Sequence, residues 1–224
     1  KDFKIFVYLD LVYPYEKMSL VRHVDSFADK IIVFSDCWKK NLVEMEVNSD
    51  KVYVLPHGFD KARFYKIDSK FAKRKFNMNK DDFVVLNTNK NVYRKSLDKT
   101  IEAFVEFLKI KNCNKKIKLF LNTAHQYYKN GIDVLDFIKI ACNKHGIDFK
   151  TVCDNHIFIN SSLKSYTDED LNVLYNACDV GINTCIGEGF GLCNLEHGGI
   201  GKPQIVSDVG GLGDIFDKEY SIVI

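Results

Sequence analysis

Three observations predict an α/β fold for this chain, a doubly wound parallel sheet. Apolar runs rich in β-branched and aromatic residues alternate with segments of helical period. One such segment, 96–109, carries Leu97, Ile101, Phe104, Val105 and Leu108 as a stripe suited to packing on a sheet. A glycine-rich turn at 187–191 follows an apolar run and leads into a further helical segment.

In chain order, strands are expected at 3–9, 30–34 and 51–55, with helices over 16–27 and 36–45. Ser35 ahead of Asp36 reads as a helix cap. VLPHGFD at 54–60 then sets a proline, a glycine and a turn-forming Asp directly after a strand, the best boundary in the chain. Polar, weakly patterned sequence follows to Lys80. Beyond it, strands at 83–87, 117–121, 156–160, 179–183, 203–206 and 221–224 alternate with helices at 96–109, 133–144, 168–177, 191–198 and 212–216. Thr167 as capping hydroxyl, with Asp168, Glu169 and Asp170 in the first turn, marks the clearest helix start.

Six late strands suffice for one domain, whereas three early ones bury too little for an independent core. Residues 1–56 are therefore expected to end a preceding domain and 57–224 to form a second. The chain opens on Lys1 and stops inside an apolar run, so it is expected to be an excerpt of a longer protein.

With 32 basic and 30 acidic residues dispersed along 224 positions, nucleic acid is not an expected partner. Seven cysteines without a C-x-x-C pair are expected as reduced thiols of a cytoplasmic protein. No apolar stretch has the length of a transmembrane segment, and no signal-peptide pattern opens the chain.

The most informative stretch is GEGFGLCNLE at 187–196, where Glu188 and Glu196 bracket the glycine-rich turn. A helix opening on glycines presents unpaired N–H groups and partial positive charge to an anion such as phosphate. From a start near Gly191, Glu196 lies roughly 7–8 Å along the axis, a reach that suits a carboxylate on a ribose diol beside that phosphate. Glu188, in the loop, is free to face whatever the phosphate carries.

Five segments together resemble the retaining nucleotide-sugar glycosyltransferases of the GT-B fold, specifically glycosyltransferase family 4. They are FADKIIVFS at 27–35, VLPHGFD at 54–60, NKNVYRK at 89–95, YNACDV at 175–180, and Glu188–Glu196 (the E-x7-E signature) continuing into GKPQIVSDVGG at 201–211. The resemblance implies two Rossmann-like domains facing across a cleft. Residues 1–56 would be the last part of the acceptor-side domain, and 57–224 the donor-binding domain truncated at its C-terminus. It further implies that Glu196 holds the ribose hydroxyls and Glu188 the donor sugar. Gly189 and the N–H groups of Phe190, Gly191 and Leu192 would meet phosphate or sugar, and His57 and Gly58 would reach the cleft. Lys90 and Lys95 would neutralise the leaving diphosphate. Lys90 stands where arginine is usual and lacks its fork; Asn89 and Ser96 replace glycines, and His197-Gly198-Gly199 stands where alanines are usual.

The implied reaction moves a hexosyl group from a nucleotide-diphosphate sugar to a carbohydrate, lipid or protein acceptor with retention. No metal or other cofactor is expected, since His, Cys and carboxylates form no cluster at metal-ligand spacing. GDP-mannose, UDP-glucose and UDP-N-acetylglucosamine are all compatible donors. Because the first domain supplies most of the acceptor site, the chain alone is expected to be weak or inactive. The alternative is an inactive nucleotide-sugar-binding module of the same fold. A dinucleotide-binding oxidoreductase is rejected, because the glycines read G-x-G-x-G near the end of the chain instead of G-x-G-x-x-G in the first βα unit. No pyridoxal-phosphate lysine context supports a phosphorylase.

The plainer readings are turn glycines, solvated lysines, a surface Arg94, a loop-capping Asp10 and a turn acid at Asp208. His23, His125, His145 and His156 are expected to be structural or exposed, and residues 160–163 to meet the nucleobase.

Overall fold

The computed structural model describes residues 3–123, 131–160, 166–216 and 219–224. Strand β1 (Phe6–Tyr8), helix α1 (Met18–Phe27), β2 (Lys30–Val33), α2 (Asp36–Glu44) and β3 (Val52–Val54) build a small parallel sheet in the order β1-β2-β3. The chain continues through α3 (Ser69–Lys75), β4 (Phe83–Thr88), α4 (Leu97–Ile110), β5 (Ile117–Asn122), α5 (Val134–His145), α6 (Phe149–Asn155) and β6 (Ile157–Ile159). It ends with α7 (Asp168–Ala177), β7 (Val180–Asn183), α8 (Leu192–Gly199), β8 (Gln204–Val206), α9 (Gly211–Ile215) and β9 (Ser221–Val223).

The later strands form a six-stranded parallel sheet in the order β6-β5-β4-β7-β8-β9. Numbered within the sheet this is the doubly wound order, which reverses between β4 and β7. Those two strands pair with Val85 opposite Val180 and Leu86 opposite Gly181. In open α/β sheets, ligands bind outside the carboxyl ends of the strands at this reversal.

Each face of the large sheet has its own core. On one, Ile101, Phe104, Val105 and Leu108 of the predicted α4 stripe pack with Leu119, Leu121 and Ile138. Each such buried side chain contributes roughly 1.5–3 kcal/mol. On the other, Leu174, Tyr175 and Ala72 cover Leu86 and Phe120. A third core lies under the small sheet, where Ile31 and Val33 meet Val21, Trp38 and Leu42 and are joined by Phe190 of the glycine-rich turn. The small layer is thus closed by a residue from the far end of the chain.

Several expectations need correction. β1 is three residues long, not seven, because it is an edge strand paired with β2 alone. Helices α3 and α6 fall in stretches read as unpatterned or left unassigned; each opens on an aspartate cap, Asp68 accepting from Phe71 N and Asp148 from Thr151 N, both at 2.7 Å. Ser35 holds the cap position of α2, but its hydroxyl is buried with no hydrogen-bond partner. Thr167 does cap α7, accepting from Asp170 N at 3.2 Å. All seven cysteines are free thiols. Among the described residues, no helix is long and apolar enough to cross a membrane.

Candidate functional site

A cavity of about 240 Å³ opens at the reversal between β4 and β7. The large sheet contributes Asn89, just beyond β4, and Asn183, the last residue of β7. The turn before α4 adds Arg94 and Lys95, and the stretch 188–194 forms a third wall. Facing these are Asp10, Val12 and Phe34 of the small layer and His57 of the segment that follows β3.

Glu188 and Lys95 are both buried and form an ion pair, Lys95 Nζ donating to Glu188 Oε2. Arg94 lies beside them, with Nη1 3.8 Å from Glu188 Oε1 and 2.9 Å from the Gly187 carbonyl to which it donates. Residues 93 positions apart meet because the two turns are stitched together: Ile186 N donates to Arg94 O at 2.9 Å, and Thr184 Oγ1 to Ser96 O at 2.8 Å. Ser96 holds a left-handed φ of 45° to make that turn.

The glycines have two different tasks. Gly191 caps α8 at φ 90°, a conformation glycine adopts without strain. Gly187 and Gly189 serve close approach: a Cβ there would lie 2.5 Å from the Tyr13 ring and 2.7 Å from Asp10 Oδ1. Trp38 Nε1 donates to the Gly189 carbonyl at 2.7 Å, so the turn is held from the small layer as well. His57 packs between Phe34 and Phe190, with ring centroids 4.4 and 5.0 Å away.

Beneath α8 runs a chain of buried amides. Asn89 donates to Asn183 at 3.4 Å, Asn183 to Asn194 at 2.8 Å, and Asn194 to Gln204 at 2.9 Å. Gln204 Nε2 reaches His197 Nδ1 at 3.1 Å, and His197 Nε2 reaches the Tyr175 carbonyl at 3.1 Å. That carbonyl accepts only, so Nε2 carries the proton and the ring is neutral. Burial, reinforced by the Lys202 charge, pushes its pKa down to about 4.

The predicted residues thus divide. Glu188, Lys95, Gly189, Phe190, Gly191, Leu192 and His57 line one cavity. Lys90 and Gly58 are exposed and lie outside that lining. Glu196 is also outside it, half-buried on α8, its Oε2 accepting from Tyr175 Oη at 2.8 Å. Burial raises the Glu196 pKa above the ordinary carboxylate range. The two acids therefore do not share the cavity. Asp179 of the YNACDV segment is structural, accepting from Val84 N at 2.8 Å and Lys73 Nζ at 2.9 Å. His156 is buried, with Nδ1 2.9 Å from the Ile117 carbonyl. His125 and residues 161–163 lie outside the described residues, while Asn160 donates to Asn122 Oδ1 at 2.9 Å.

Sequence reasoning passed over Asn89, Asn183 and Asn194 as site residues and treated Asp10 and Arg94 as peripheral. Asp10 and Asn183 do carry a signal, a polar residue at the carboxyl end of an apolar run.

No family model matches the chain. It is 26% identical over 176 residues to an uncharacterized glycosyltransferase of Methanocaldococcus jannaschii, an alignment covering 77% of this chain and 40% of that protein. Among solved structures it resembles Anabaena HepE in complex with UDP-glucose, with TM-score 0.70, 16% identity, and coverage of 99% of this chain and 58% of that one. Sucrose-phosphate synthase of Thermosynechococcus elongatus gives TM-score 0.72 and 18% identity over 100% of this chain and 55% of the other. The fold is that of the GT-B glycosyltransferases. The chain spans little more than half the length of these GT-B structures and less than half of the archaeal protein.

Proposed function

We propose that this chain is the donor-binding part of a retaining, family 4 hexosyltransferase, with residues 57–224 as the nucleotide-sugar domain and 1–56 as the end of the acceptor-side domain. The Glu188–Lys95 pair carries this reading, set in a cavity between the α8 N-terminus and the small layer. HepE with UDP-glucose supports a nucleotide-diphosphate sugar as donor. The free N–H groups at the start of α8 face the diphosphate, and Lys95 offsets the charge that grows on it as the glycosidic bond breaks. Glu188 keeps Lys95 at the cavity wall and offers its carboxylate to the sugar hydroxyls. The leaving phosphate oxygen takes the acceptor proton on the same face, which retains the anomeric configuration. Charge neutralisation is assigned to Lys95 and Arg94, with no metal or other cofactor invoked. Seven free thiols favour a reducing compartment such as the cytoplasm.

The test is a transfer assay on the full-length protein with UDP- and GDP-hexoses, product configuration being read by NMR. Transfer with retention is expected. Lys95→Ala and Glu188→Ala should each lower kcat/KM by about 100-fold or more. Inversion of configuration, or undiminished transfer by both variants, overturns the reading. The 224-residue chain alone should bind donor and transfer weakly.

A further inference from the structure

Tyr175 is fully buried beneath α8. Its ring stacks on His197 at 5.4 Å and packs on Phe64 at 5.6 Å. Its carbonyl accepts the His197 Nε2 proton at 3.1 Å, so backbone and ring are both held. The hydroxyl donates to Glu196 Oε2 at 2.8 Å. Burial, with the Cys193 thiol and the Glu196 carboxylate beside the hydroxyl, raises the Tyr175 pKa far above the phenol range, so it stays a donor. Arg63, whose charge acts on Glu196, is itself paired with Asp168 at 3.1 Å and Asp60 at 3.2 Å. Glu196 follows Leu192 by four residues on α8, hence on the same face and about 6 Å along the axis. Leu192 lines the cavity, so the carboxylate stands one turn beyond its edge.

We propose that Tyr175 is a positioning residue, its hydroxyl fixing one oxygen of Glu196 so that the carboxylate meets the vicinal diol of a ribonucleotide and discriminates against a deoxyribose. The proposal rests on the donor-binding reading above. An ionised carboxylate has about four acceptor sites; one taken by a rigid phenol leaves the others aimed outward for two hydroxyls. A half-buried carboxylate without that anchor is free to rotate and is poorly solvated. The amide chain from Asn89 to His197 links the same tyrosine to the cavity floor.

The experiment titrates the chain with UDP and GDP and with their 2′-deoxy forms. The wild-type protein should bind a ribonucleoside diphosphate about tenfold tighter than its 2′-deoxy form, the scale of one hydrogen bond to a charged group. Tyr175→Phe keeps the ring and loses only the hydroxyl; it should weaken the ribo form several-fold, spare the deoxy form and bring the ratio towards one. Equal weakening of both forms marks a merely structural tyrosine and overturns the proposal. Glu196→Asp, which leaves the buried ring in place but shortens the reach, should lose the same ratio, and a full ratio there also overturns it. This second variant keeps the test decisive if Tyr175→Phe does not fold. Glu196→Ala separates the two levels: an intact ratio in that variant refutes ribose binding by Glu196 itself. Failure of the wild-type chain to bind either diphosphate refutes the donor-site reading and the proposal with it.

Discussion

Lys95 and Glu188 illustrate how much one pair of buried charges determines at the residue scale. Each is buried largely against the other, so removing one partner strands a charge. Lys95→Met should lower unfolding free energy by about 3 kcal/mol, whereas Lys95→Met with Glu188→Leu should recover most of it. Urea denaturation of the three proteins checks this, and a double variant no more stable than the single refutes it. His197 makes a second prediction. Folding holds its pKa near 4, down from 6.5 in a free chain. The unfolded state takes up a proton near pH 6.5 that the folded state refuses until about 4. Stability is therefore full above that range and falls as pH drops through it, by up to about 3 kcal/mol from this residue. His197→Gln should be less stable at neutral pH, yet its urea midpoint should change less on acidification. An unchanged pH dependence would count against the neutral buried ring.

The element on which the site turns is the glycine-rich loop with α8. Its sequence is legible as a glycine-led helix start, and the structure does place Gly191 at the cap. What the residues did not disclose is why the other glycines are needed. Gly187 and Gly189 make room for Tyr13 and Asp10 from the small layer, and a Cβ on Gly210 would collide with the Glu188 carbonyl. Gly210 also holds a φ of 51°. Gly210→Ala should therefore destabilise the protein by about 1–3 kcal/mol and displace Glu188, weakening nucleotide-sugar binding beyond the loss in stability. Thermal denaturation and a donor titration on the same variant measure both. Elsewhere, α4 was read correctly from its stripe, because five apolar positions on one face leave little choice. Helices α3 and α6 were missed because seven residues are too few to show a period, although their aspartate caps were in plain view.

Over the whole molecule, the two layers are joined at the loop that lines the cavity. Trp38, the single tryptophan of the chain, packs in the core under the small sheet and donates to the Gly189 carbonyl. Asp214 of α9 accepts from Cys37 N at 2.6 Å, so α2 is held by both the loop and α9. Ligand binding on the loop should alter Trp38 emission. Trp38→Phe, which loses the donor, should cost about 1 kcal/mol of stability and weaken nucleotide-diphosphate binding without touching it. Emission unchanged at saturating UDP or GDP, with binding shown by calorimetry, would disprove this coupling.

The α/β class and the late run of six strands followed from the sequence itself, because alternation and capping are properties of neighbouring residues. So did the presence of acids and glycines in one stretch of the loop. Partnership was decided only by the tertiary structure. Glu188 meets Lys95 while Glu196 meets Tyr175, and Lys90 is left exposed outside the cavity. Those pairings depend on strand order and on how turns far apart in the chain dock, and local pattern carries no record of either.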